Sequence, residues 1–86
     1  MARPRAVRRN SFYKSVAEVV PDAIVFDRDY EMVATVAGTE GIFVLLRRPT
    51  GFEWRAHYRR VRPATDYEER QLVALARLHK QRLRCL

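Results

Sequence analysis

The chain has 86 residues, is 48% hydrophobic and 31% charged, and carries a net charge of +7. That length holds one domain with a small core, too small to shelter an elaborate buried active site. A single cysteine, Cys85, excludes an internal disulfide framework, and no apolar run approaches the roughly 18–20 residues that cross a bilayer.

Residues 1–10 show no hydrophobic periodicity, and Pro4 disfavours a helix, so they are expected to form a flexible basic arm ahead of a single domain at 11–86. No 7–15-residue apolar stretch follows the basic start, so no secretory signal is expected and the expected location is the cytoplasm. Asn10 or Ser11 is a candidate cap for a short helix over 11–18, with Phe12, Val16 and Val19 on one side and Pro21 as its stop.

Four strand-like runs follow, Ala23–Phe26, Met32–Ala37, Ile42–Arg47 and Phe52–Tyr58, all rich in β-branched and aromatic residues. The links between them are short: Asp27 to Glu31, Gly38 to Gly41 and Pro49 to Gly51. Consecutive strands so joined are antiparallel. The third run is apolar on both faces and is expected to be a central strand with a helix over its outer side. The fourth alternates, with Phe52, Trp54, Ala56 and Tyr58 directed to the core and Glu53, Arg55, His57 and Arg59 to solvent.

A long helix is expected over 66–84. Thr65 and Glu68 have capping-box spacing, Asp66, Glu68 and Glu69 suit the positive end, and Lys80, Arg82 and Arg84 suit the negative end. Leu72, Leu75, Ala76, His79, Leu83 and Leu86 form an apolar stripe, needed to cover the sheet. Arg70, Arg77, Lys80 and Arg84 form a basic stripe away from it.

Val20 to Asp27, Val33 to Arg47, Gly51 to Ala56 and Val61 to Thr65 together resemble the strands, glycine turns and exit of small SH3-like barrel proteins, uncharacterised, of high-GC actinobacteria. The resemblance covers about residues 19–65. It implies a small antiparallel SH3-like barrel over 20–62, of four to five strands with Val61 on the last, and it carries over no catalytic residue. The expected fold is therefore mainly β with flanking α: a short N-terminal helix, the barrel and a long C-terminal amphipathic helix.

Charge is segregated along the chain. Residues 1–14 carry +5, residues 15–40 carry −5, residues 41–63 carry +5 and residues 64–86 carry +2. Such blocks either make a two-faced surface or neutralise each other across neighbouring strands. Of the 17 basic residues, 15 are arginine, whose planar fork suits phosphate and carboxylate.

No chemistry-bearing pattern accompanies this charge. His79 and Cys85 are six apart and His57 lies elsewhere, which is not a zinc pattern. Asp27, Asp29 and Glu31 lack the glycine and distal glutamate of a calcium loop. Neither Ser11 nor Ser15 is tied to a base, and no phosphate-cradling glycine motif occurs. The chain is thus expected to be a non-catalytic binding module without metal or cofactor.

Its expected partner is the phosphate backbone of DNA or RNA, with low sequence specificity. The expected contacts are Arg3, Arg5, Arg8 and Arg9 on the arm, and Arg47, Arg48, Arg55, His57, Arg59, Arg60 and Arg62 on the sheet. The helix face of Arg70, Arg77, Lys80 and Arg84 adds to them. The alternative is a protein-interaction adaptor using the barrel surface and the charged helix. Membrane-surface attachment ranks last, because the helix leucines are expected to be used in packing.

Overall fold

The computed structural model describes residues 12–84. A 3-10 turn at Val16–Glu18 precedes strands β1 (Ile24–Asp27), β2 (Met32–Glu40), β3 (Phe43–Arg47) and β4 (Glu53–His57). A second 3-10 turn, Tyr58–Arg60, leads into β5 (Val61–Pro63), and helix α1 spans Asp66–Arg84. The strands form one antiparallel sheet in the order β4-β3-β2-β1-β5, so β4 and β5 are its edges.

The sheet is strongly curled. β1 and β4 are three strands apart, which in a flat sheet is roughly 14 Å. Yet the Trp54 indole on β4 donates a 2.6 Å hydrogen bond to the Asp27 carboxylate on β1. A bulge at Ala37 interrupts the β2–β3 register, Val36 facing Leu46 while Gly38 faces Leu45, and bends the long second strand. The concave face encloses Val25, Ala34, Val36, Val44, Leu46, Ala56 and Val61, closed at one end by Val19.

The convex face carries a smaller cluster, in which Leu72 of α1 packs on Val33 and Ala64 beside Ile24 and Phe26. The helix therefore lies over β1 and β2, not over β3 as the two-sided apolar pattern predicts. Phe43 is exposed on the outer face of β3. Arg55 supplies its cover instead, with its guanidinium 5.2 Å from the ring centroid.

The capping box forms as expected: Thr65 N donates to Glu68 Oε1 at 2.9 Å, and Glu68 N donates to Thr65 Oγ1 at 3.2 Å. Only Leu72 of α1 is buried, however, and Leu78 and Leu83 are exposed, the latter by 58%. The stripe does not cover the sheet along its length: past Leu72, Leu75 and His79 are partly buried and Ala76 and Leu83 are exposed, on a 19-residue helix roughly 28 Å long.

The expected helix over 11–18 reduces to the Val16–Glu18 turn; residue 11 and the arm at 1–10 lie outside the described residues. Local hydrogen bonds compete with a helix here. Ser15 caps the turn by accepting from Ala17 N, the Glu18 carboxylate takes Lys14 N, and Tyr13 N is directed to Val61 O on β5. Two turns end on non-glycine residues at positive φ, Asp22 (71°) and Glu31 (54°), while Gly41 (62°) turns β2 into β3. The β2–β3 turn is thus shorter than the Gly38–Gly41 segment suggests, since β2 runs on to Glu40.

Candidate functional site

Most of the sheet arginines expected to face a polyanion already have partners. Arg60 grips the Asp29 carboxylate with two nitrogens, at 2.7 and 3.0 Å. Those hydrogen bonds hold the Asp29 carboxyl below the ordinary carboxylate range. Arg55 reaches Glu40 at 3.4 Å across the Phe43 ring. Arg48 donates to Val33 O at 2.8 Å and braces β2. Arg59 points Nε at the Tyr58 hydroxyl at 3.3 Å. Among the sheet cations predicted as contacts, Arg47 is exposed without a side-chain partner among the described residues.

Arg62 is the most committed. Its two terminal nitrogens meet both Glu68 oxygens, at 3.0 and 2.9 Å, and the guanidinium lies 4.3 Å from the Phe26 ring centroid. The Arg62 and Glu68 side chains are only 16% and 15% exposed. Arg62 thus ties β5 and the outer core to the helix N-terminus. Its hydrogen bonds, with those of Thr65, pull the Glu68 carboxyl below its usual range.

His57 is also structural: its Nδ1 accepts from Arg59 N at 3.1 Å and caps the second 3-10 turn. It is therefore no free basic member of a strand row. Strand β4 ends at His57, so Arg59 and Arg60 belong to the turn and do not continue the alternation.

Helix α1 differs. From Arg70 to Arg84 it carries Arg70, Arg77, Lys80, Arg82 and Arg84 and no acid. All five are exposed, and none has a side-chain hydrogen bond or ion pair among the described residues. Arg70, Arg77 and Arg84 recur every seven residues, a line of charge with a repeat of roughly 10 Å. Arg70 and Arg77 also line an open groove of about 530 Å³ with Val73, Ala74, Asp66, Glu69 and Ile24. Arg3, Arg5, Arg8 and Arg9 lie outside the described residues.

One feature escapes the charge reading. Asp27 is 1% exposed at the end of β1, where its carboxylate accepts from Asp29 N (2.9 Å), Tyr30 N (3.4 Å) and the Trp54 indole. Trp54 in turn stacks with Tyr30, centroids 5.5 Å apart and planes 3° apart, and with Phe52 at 5.1 Å and 25°. Phe52 is 49% exposed and Tyr30 54% exposed, so Phe52 is not a core residue, as its alternation with Trp54 suggests. The signal for this knot was present: alternation puts Asp27 on the same face as Val25, and a half-buried indole needs an acceptor.

Among the described residues, no helix is long and apolar enough to cross a membrane, and no three of His, Cys, Asp and Glu gather as metal ligands do. No protein-family model, curated protein or solved structure matches the chain.

Proposed function

We propose that the protein is a small non-catalytic module that binds the phosphate backbone of nucleic acid, with α1 as its principal contact. The observation that carries this reading is the acid-free run of five exposed cations from Arg70 to Arg84, none of them paired among the described residues. Unpaired cations release condensed counterions from a nucleic acid without first breaking an internal ion pair. Arg55, Arg60 and Arg62 would each have to give up a carboxylate.

The SH3-like barrel, and with it kinship to the small actinobacterial proteins of that shape, belongs to the same proposal. It is supported by a four-strand meander whose fifth strand returns to pair with the first, and by the curl that joins Trp54 to Asp27. The location that suits the reading is the cytoplasm, where a lone thiol such as Cys85 stays reduced.

The test is the salt dependence of binding to a short DNA duplex. Changing Arg70, Arg77 and Arg84 together to Ala should lower the slope of log K against log salt by about 2.7, near 0.9 per lost phosphate contact. It should weaken binding alike on all sequences. An unchanged slope would remove α1 from the interface. No binding even at low salt would remove the reading altogether.

A second reading, an adaptor that docks α1 on an acidic protein, is favoured by exposed Val73, Leu78 and Leu83 among the cations. It predicts a protein partner retained after nuclease treatment.

A further inference from the structure

We propose that the Tyr30–Trp54–Phe52 stack is a base-stacking site, which makes single-stranded nucleic acid the preferred ligand. The proposal rests on the nucleic-acid reading above and narrows it.

Tyr30 and Phe52, each stacked on the partly buried Trp54, are costly to leave half in water in an 86-residue chain whose core is small. The stack is also rigid. The Asp27 carboxylate holds the indole N–H of Trp54 at 2.6 Å and the N–H groups of Asp29 and Tyr30, which fixes the loop that carries the Tyr30 ring. On the other side, Arg48 N donates to Phe52 O at 2.9 Å and anchors the β3–β4 turn.

The geometry selects among ligands. The rings stack with planes 3° and 25° apart, so they form a row and not a box around a cation. The indole N–H is consumed by Asp27 and is not free to donate to a peptide carbonyl. What remains is flat π surface on two half-exposed rings, which suits a further planar ring. A base inside a duplex offers no open face to such a platform, whereas an unpaired base does.

The charge beside the stack is mixed: Arg48 adjoins Phe52, while Glu31 follows Tyr30 and Glu53 follows Phe52. Glu31, next to Tyr30, and Arg48, bonded to Phe52, both line a groove of about 290 Å³ whose far wall is Gln71, Leu72 and Leu75 of α1. Arg82 lies seven residues beyond Leu75, on the same side of the helix and roughly 10 Å further along it. The stacked rings do not themselves line this groove; a strand leaving the platform beside Phe52 would meet Arg48 first. Among the described residues Glu31 is the one acid lining the groove, and Asp29 beside it is paired with Arg60.

Trp54 is the only tryptophan, so its fluorescence reports the site directly. Titration with a twelve-nucleotide single strand should quench it, and the duplex of the same length should bind without comparable quenching. Tyr30→Ala and Phe52→Ala should each weaken single-strand binding about tenfold and leave duplex binding unchanged. Tyr30→Phe should retain single-strand binding, and thermal melts should show all three variants folded.

Equal losses on single strand and duplex, or no loss on either, would overturn the stacking site while leaving the helix reading intact. Binding of neither form would overturn both. Quenching by a proline-rich peptide that the oligonucleotide cannot displace would assign the platform to protein recognition instead.

Discussion

The arginines of the sheet and those of α1 carry the same formal charge in different circumstances. In the sheet region, curling brings the acidic segment 22–40 against the basic segment 41–63: Asp29 meets Arg60 and Glu40 meets Arg55, while Arg62 is taken by Glu68 of the helix. On α1 the acids are confined to the first turn, where they serve the helix N-terminus, and every cation after Glu69 faces water. Charge that is balanced inside the fold contributes architecture; charge that is not is available to a partner. The +5 of residues 41–63 and the +5 carried from Arg70 to Arg84 are thus unequal as binding surfaces.

The sheet side should break first and hardest at Asp27. Asp27→Ala leaves the Trp54 indole and two backbone N–H groups without an acceptor, and each orphaned donor costs about 1–3 kcal/mol. A loss of roughly 3 kcal/mol or more is expected in urea unfolding, with a shift in Trp54 emission. A loss under about 1 kcal/mol would mean that the knot is not what holds the curl.

Next in size is Arg62→Ala, which leaves the Glu68 carboxylate without its bidentate partner and uncovers Phe26. About 2 kcal/mol is expected, discounted from the cost of breaking a fully buried pair because both side chains keep some exposure. The same pair predicts acid sensitivity. The Glu68 carboxyl titrates below its unfolded value near 4.3, so its contribution is present in full above that pH and is lost as pH falls through the lower folded value. Asp29 behaves in the same sense. Arg62→Met, which keeps a long apolar side chain over Phe26, should flatten the acid limb of stability while leaving most of the packing in place.

The exposed pairs rank lower. Arg60→Ala and Arg55→Ala should each leave stability nearly unchanged in urea unfolding, because their carboxylate partners sit in water. Raising salt to 1 M should erase even that difference, whereas the Arg62 effect should survive it.

How much of this was legible beforehand follows from the range of each signal. The order of β1 to β4, their antiparallel pairing and the capping box are local or near-neighbour properties, carried by turn residues and by Thr65 and Glu68, whereas the pairing of β5 with β1 joins residues far apart in the chain. The two-sided apolar pattern of β3 predicts helix cover, yet the helix lies over β1 and β2, because where α1 docks depends on the curl of the whole sheet. The same curl decides which arginine finds which acid, and partners 31 residues apart, such as Asp29 and Arg60, leave no periodicity to detect. The N-terminal helix failed for a local reason, as Ser15 and Glu18 took the backbone N–H groups that a helix would use.

The smallest expected effect is the sharpest test of the helix side. Lys80 faces Arg77 three residues earlier and Arg84 four residues later, so it sits between like charges on one helix surface. Each such contact is destabilising by roughly 0.2–0.5 kcal/mol, and alanine is the best helix former. Lys80→Ala should therefore stabilise the domain by a few tenths of a kcal/mol, measured by chemical denaturation at low salt, and the gain should fade as salt rises. The same variant should bind nucleic acid more weakly. Opposite signs for stability and binding are what distinguish a cation held for a partner from one held for the fold, and Arg62, where both should fall or only stability should, supplies the contrast. If Lys80→Ala instead lost stability, the helix cations would have partners within the domain, and the distinction between the two halves of the molecule would disappear.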